Sequence, residues 1–218
     1  MTQPSDNRII VRHTVLSFDI CSSTKIMENL LITGNLNLWR DFLINIKEFL
    51  IDEDHALRFN LYNFTGDGWI MLFDYQINGT SLLSFLESFC KHFSTTFDKK
   101  IKKVLETTPS LTGITFGMDR GELTKVRMNK RIEYIGRAIN MACRLQSAIK
   151  DRDPHCEYKL LMTKDLYSSI RADVPVGKFL KAIRSGRNIA GGKEIECMKT
   201  TFLETVANTQ KTLLNKSI

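Results

Sequence analysis

No two of the five cysteines form a C-x-x-C pair. Cys21, Cys90, Cys143, Cys156 and Cys197 are scattered and odd in number, which argues against both a disulfide framework and a cysteine-built zinc site. A cytoplasmic, reducing compartment is the expectation for such a chain. No apolar run approaches the ~20 residues that a bilayer-spanning helix needs. The first eight residues are polar and carry no export signal, so no membrane insertion is expected. Linkers, internal repeats and low-complexity tracts are absent. His13, His55, His92 and His155 have no serine or cysteine partner in a nucleophile arrangement, so structural or surface roles are expected for them.

What is present fits one packed core. A chain of 218 residues with 43% hydrophobic content is expected to form a single domain spanning 1–218, with polar ends around a core of about 9–203,. The 31 Lys and Arg against 24 Asp and Glu leave a formal charge of +7, which admits an anionic partner without choosing among nucleic acid, membrane and nucleotide phosphate. The cluster Lys99, Lys100, Lys102 and Lys103 reads as a solvated helix end,.

Strand and helix signals interleave. Ile9 to Phe18 is β-branched and apolar and reads as a strand ending at Asp19, with Ser22, Ser23 and Thr24 as N-cap candidates for a helix over about 25–32,. Leu36, Trp39, Leu43, Ile46 and Leu50 recur at helical spacing up to about Asp52,. Residues 57–64 and 69–73 read as strands joined by Thr65-Gly66-Asp67-Gly68, where Asp-Gly signals a hairpin,. A helical stripe from Ser81 to about Glu106 follows and is closed by Pro109. Two strands over 111–118 and 122–128 then flank Asp119-Arg120-Gly121, with a short third strand over 131–135,. Gly136 introduces a helix over about 137–150, and the remainder reads as strand (159–162), helix (164–170), a basic loop (185–193) and strand (195–203). The interleaving points to one α/β or α+β domain.

Two carboxylates stand in unusual places, Asp19 at the end of an apolar strand and Asp67 in a glycine-flanked turn. If the first strand pairs beside the hairpin, both converge at one sheet edge, where hard divalent cations would find oxygen ligands. The backbone N–H groups of Cys21, Ser22, Ser23 and Thr24, at a helix amino terminus, would face an anion such as a triphosphate. Taken singly, Asp19 is equally a helix cap and Asp67 equally a turn residue. Asn140 and Arg144 are i and i+4 on one helix face and can address one ligand, the amide orienting a ribose and the guanidinium stabilising charge on a phosphoryl group,. Alone, that spacing is common on solvated helices. The tract Gly186 to Lys193 departs from a P-loop by one residue and ends in Glu194 in place of Ser or Thr,.

Phe18 to Thr24, Thr65 to Gly68, Gly117 to Glu122 and Tyr134 to Leu145, in that order and spacing, together resemble the catalytic domain of the class III nucleotide cyclases. The resemblance covers about 9–203. It implies an α+β, ferredoxin-like fold with a mostly antiparallel sheet flanked by helices, acting as a homodimer with active sites at the interface. By the same resemblance Asp19 and Asp67 hold two Mn²⁺ or Mg²⁺ ions, with the Ile20 carbonyl as a backbone ligand. Asn140 orients the ribose, Arg144 serves the transition state across the dimer, and Lys193 is matched to a triphosphate-contacting lysine.

The positions that read the base in these cyclases fall on Asn63 and Glu133, and neither the adenine-reading nor the guanine-reading pair is reproduced. Ionised Glu133 is acceptor-only and could take the uracil N3–H or the cytosine amino group, while Asn63 offers a donor and an acceptor. These two residues do not separate the pyrimidines. The wording of 136–150 (GRAINMACRLQSAIK) is similar to the bacterial Pycsar pyrimidine cyclases. That likeness implies UTP as substrate, cyclic UMP as product and a role in anti-phage defence. A cytidylate cyclase, a purine cyclase with unusual base readout, and a non-catalytic nucleotide-sensing module are the alternatives. A nucleic-acid-binding protein is supported by charge alone and lacks a recognition motif.

Overall fold

Seven strands form a continuous path in the order β2-β3-β1-β4-β6-β8-β7, and β5 extends the sheet by pairing with β4. The computed structural model describes residues 9–150, 158–184, 189 and 192–203, without the side chains of 53–56 and 150. The strands are β1 (Ile9–Ile20), β2 (Phe59–Phe64), β3 (Gly68–Asp74), β4 (Ile114–Met128), β5 (Arg131–Ile135), β6 (Tyr158–Thr163), β7 (Leu180–Arg184) and β8 (Ile195–Thr201). The helices are α1 (Ser23–Ile32), α2 (Leu36–Leu57), α3 (Gly79–Lys100), α4 (Arg137–Lys150) and α5 (Lys164–Ile170), with 3₁₀ turns at Lys102–Val104 and Arg171–Asp173. Among the described strands, only β4 and β6 pair in parallel. The architecture is therefore the expected α+β type with a mostly antiparallel sheet.

Alternation along β1 sorts the two sides of the sheet. Leu16, Phe18 and Ile20 enter the larger core with Ile26 and Leu30 of α1, Phe42 and Ile46 of α2, and Phe89 and Phe93 of α3. Val15 points to the other side, against Leu123 and Ala138 and Ala142 of α4. Asp19 follows the parity of Val15 and so belongs to the α4 side. Helix α4 lies unusually close to β4: a Cβ built on Gly117 would stand 2.1 Å from the Ala142 carbonyl oxygen and 2.3 Å from the Gln146 nitrogen. Gly117 is thus fixed by the approach of the helix.

The structure departs from the sequence expectations at several places. Strand β1 runs through Asp19 to Ile20, and α1 begins at Ser23. Ser22, at the N-cap position with φ of 59°, makes no side-chain cap; its hydroxyl donates to the Leu111 carbonyl at 2.7 Å. The Asp119-Arg120-Gly121 tract is not a turn. Residues 114–128 form one strand paired with β1 throughout Ile9–Ile20, with Asp119 opposite Val15 and Gly121 opposite His13. Asp119 survives in a central strand because its carboxylate is satisfied: Thr163 Oγ1 donates to Oδ1 at 2.7 Å and Arg137 Nη1 to Oδ2 at 3.2 Å,. The β7 edge strand was not expected from the sequence. Of the basic loop, residues 185–188, 190 and 191 lie outside the described residues.

Asp119 is 2% exposed. Burial raises its pKa from the ordinary aspartate value, against the opposing Thr163, Arg120 backbone and Arg137 contacts. Folding therefore favours the protonated acid. That contribution is full below the unfolded carboxylate pKa and is lost as pH rises through the raised value. The thermal midpoint of the wild type relative to Asp119→Asn is expected to fall as pH rises through the mildly acidic range; a difference independent of pH would show that burial does not govern this carboxyl.

His92 Nε2 meets Asn45 Oδ1 at 3.0 Å and its ring stacks on Phe49, while His13 Nδ1 meets the Phe73 carbonyl at 3.0 Å. The side chains of His55 and His155 lie outside the described residues. Cys21, Cys90, Cys143 and Cys197 are thiols, and burial pushes Cys197 up to about 11; Cys156 lies outside the described residues. No helix among the described residues is long and apolar enough to cross a membrane.

Candidate active site

Backbone register brings the two expected aspartates together. Asp19 of β1 stands opposite Gly68 of β3, and the Ile20 N–H donates to the Asp67 carbonyl at 3.2 Å. The turn between β2 and β3 closes through the Thr65 N–H to the Gly68 carbonyl at 2.9 Å. Gly68 is required there, since a Cβ would lie 1.9 Å from the Phe18 carbonyl oxygen. Asp67 also accepts a hydrogen bond on Oδ2 from the Ser23 hydroxyl in the first turn of α1. Asp19, Asp67 and the α1 amino terminus thus share one corner of the sheet, and both carboxylates are half-buried.

The donor set at this corner suits a hard divalent cation. Among the described residues no three His, Cys, Asp or Glu side chains cluster as a metal site, so the two carboxylates would be completed by backbone oxygen, as expected for Ile20, and by substrate oxygen. Ser22 stands at the N-cap of α1, with Ser23 and Thr24 in its first turn, where N–H groups lack intrahelical acceptors. Cys21 does not fit the expected anion site. Its N–H is taken by the Gly113 carbonyl at 2.9 Å and the residue is 2% exposed, because the chain is still leaving the sheet at that position.

Helix α4 carries two further residues expected at the site. Ala138, Met141, Ala142, Leu145, Gln146 and Ile149 are buried, which leaves Asn140 and Arg144 exposed on its outer side. Arg144 Nη1 donates to the Ile189 carbonyl at 3.0 Å. Gln146 Nε2 donates to Thr115 Oγ1 at 2.8 Å, and that hydroxyl points to the Asp19 carbonyl at 3.5 Å. This relay seats α4 on the row that contains Asp19. The sequence reading did not single out Thr115 or Gln146; a polar residue at each of two otherwise buried positions was the available signal.

Lys193 falls elsewhere. Register runs from Asp19 to Thr115, Lys159 and Thr201 across four strands. Exposed Lys193 precedes β8, at its opposite end from Thr201, a distance of roughly 20 Å at strand rise. Within one chain Lys193 therefore lies apart from Asp19 and Asp67. Asn63 is exposed on β2 and Glu133 half-buried on β5. The two strands are not paired with each other, yet Tyr62 joins them, its hydroxyl donating to Glu133 Oε2 at 2.7 Å.

No protein-family model and no curated protein matches the sequence. Solved structures do match. The adenylyl cyclase CyaB from P. aeruginosa superposes with a TM-score of 0.65 at 19% identity, over 91% of this chain and 97% of that one. The chain has the fold of a nucleotide cyclase domain. The guanylyl cyclase Cya2 gives a TM-score of 0.68 at 14% identity, over 92% of this chain and 97% of that one. An adenylate/guanylate cyclase/hydrolase from Silicibacter pomeroyi gives 0.58 at 17% identity, over 88% and 98%. The cyclase fold thus spans nearly all of these neighbours' lengths.

Proposed function

We propose that the chain is a pyrimidine nucleotide cyclase that converts UTP to 3′,5′-cyclic UMP and pyrophosphate. The observation that carries the cyclase reading is the register that sets Asp19 against Gly68, beside Asp67 and the start of α1, in a cyclase fold. In this reading Asp19, Asp67 and the Ile20 carbonyl hold two Mn²⁺ or Mg²⁺ ions. Bound divalent cations would supply Lewis-acid activation of the ribose 3′-oxygen and neutralise phosphate charge.

The chain's own groups do the rest. N–H groups of Ser22, Ser23 and Thr24 hold the triphosphate by their dipole and hydrogen bonds. Asn140 orients the ribose so that its 3′-oxygen lies in line with the α-phosphorus. The new O–P bond forms as the bond to the pyrophosphate oxygen breaks, and the 3′-hydroxyl proton passes to solvent. Arg144 stabilises the charge that develops on the phosphoryl oxygens. Because Asn140 and Arg144 face outward from α4 while Asp19 faces the sheet side beneath it, a complete site is assembled from two copies of the chain. Lys193, distant from Asp19 and Asp67 within one chain, would approach the triphosphate from the second copy.

Pyrimidine preference rests on Glu133 as an acceptor, on the lack of a purine-reading pair at Asn63 and Glu133, and on the likeness of the 136–150 sequence to the Pycsar cyclases, which also supports a role in cytoplasmic anti-phage signalling. The neighbours named as adenylyl and guanylyl cyclases favour a purine substrate as the second reading. Incubating the protein with Mn²⁺ and each of the four nucleoside triphosphates separately, with product identification by mass spectrometry, decides between them. Cyclic UMP as the main product is expected. Activity confined to ATP or GTP would establish the purine reading, and cyclic CMP would move the assignment to the other pyrimidine.

A further inference from the structure

Strand β2 contains one residue too many for regular pairing. Leu61 stands opposite Met71 and Asn63 opposite Ile70, so Tyr62 is the extra residue of a β-bulge,. Directly opposed residues share a face. Met71 belongs to the large core and Ile70 to the α4-side cluster, so the bulge turns Asn63 from Leu61's side to the α4 side. Tyr62 packs against that same α4-side cluster. The two neighbours thus both reach the side of the sheet on which the candidate site lies.

The Tyr62 hydroxyl is held at both ends. It accepts from the Tyr134 N–H at 3.0 Å and donates to Glu133 Oε2 at 2.7 Å. An amide N–H cannot accept, so the single hydroxyl proton is directed to the carboxylate; the Tyr134 carbonyl, at 3.5 Å, is a far poorer acceptor,. The Tyr62 ring meets Tyr134 edge-on with centroids 5.3 Å apart, which fixes the phenol in place,. Burial raises the Tyr62 pKa, keeping the proton on the donor.

We infer that Tyr62 is a positioning residue for base selection, orienting Glu133 so that one carboxylate oxygen is committed to the phenol and the other is presented as a fixed acceptor to a nucleobase N–H edge. The inference rests on the proposed cyclase reading, in which Glu133 meets the base. It adds a residue that acts through Glu133 without touching substrate, and it assigns to the bulge the joint placement of Tyr62 and Asn63.

The test compares wild type, Tyr62→Phe, Glu133→Gln and the double variant, with kcat and KM measured for each of the four nucleoside triphosphates. Phenylalanine keeps the ring packing and removes only the hydroxyl. KM for the preferred nucleotide is expected to rise about tenfold in Tyr62→Phe, with kcat within about twofold, and preference over the poorest nucleotide should shrink by the same factor. The double variant should match Glu133→Gln alone, because the phenol has no other route to the base. Losses that multiply, or a Tyr62→Phe loss equal for all four nucleotides, would overturn the positioning role and leave Tyr62 a packing residue. Unaltered selectivity in Tyr62→Phe beside altered selectivity in Glu133→Gln would do the same. Unaltered selectivity in both would instead remove Glu133 from base reading, and a wild type inert toward all four would remove the cyclase reading itself.

Discussion

Replacing Asp67 with alanine is expected to abolish turnover while the protein stays folded. The side chain sits in the turn between β2 and β3, where the backbone is held independently of it by the Thr65 N–H to Gly68 carbonyl bond and the Ile20 N–H to Asp67 carbonyl bond. The lost side-chain contact is the hydrogen bond from Ser23, worth about 1 kcal/mol and partly recovered by water at a half-buried position. A carboxylate that holds an activating cation is worth several kcal/mol in the transition state, which corresponds to a rate loss of about a thousandfold or more. The thermal midpoint should therefore move by a few degrees at most while product formation falls to background. Wild-type turnover by a folded Asp67→Ala protein would remove this residue from the metal site.

Much of this site was legible because its parts are local. Asp19 at the end of an apolar strand, Asp67 between two glycines, and the four-residue spacing of Asn140 and Arg144 depend on neighbours in the chain, and the structure places them as strand end, turn and helix face. What the sequence hid depends on pairing. Asp119-Arg120-Gly121 has the composition of a turn, yet Thr163 and Arg137, 44 and 18 residues away, satisfy the carboxylate and let β4 run through. The Tyr62 bulge exists only in the register of β2 against β3. The Cys21 N–H is spent on Gly113, 92 positions along the chain, although local reading assigned it to the anion site. Strand β7, Leu180–Arg184, has no regular apolar alternation and lies at the sheet edge, where β8 is its partner among the described strands.

Charge was a poor guide for a related reason. The surplus of +7 is a whole-chain quantity, and several of its cations are engaged or solvated at the surface, as in the exposed pairs Arg12–Glu122 and Lys102–Asp98. Such pairs contribute little to stability and specify no ligand. The groups that the proposed chemistry uses are two half-buried carboxylates at one corner and one exposed guanidinium on α4, and their separation within the chain is the informative fact.

That separation predicts complementation between two inactive variants. Asp19→Ala removes the metal half of the site and Arg144→Ala the transition-state half. Homodimers of either variant contain no intact site, because both of their sites lack the same residue. If each site combines Asp19 and Asp67 of one copy with Asn140 and Arg144 of the other, a mixed dimer has one site with both defects and one with neither. Random exchange of equal amounts makes about half of the dimers mixed, so activity should recover to about a quarter of the wild-type value. Asp19 lies near the end of a strand and Arg144 is exposed, so neither alanine removes a core side chain. Subunit exchange is followed independently with two distinguishable tags, and cyclic nucleotide formation is read on the mixture. Recovery that tracks the mixed species would establish the shared site; proven exchange with no recovery would place Asp19 and Arg144 in the same catalytic centre within one chain, against the outward orientation of α4's polar face.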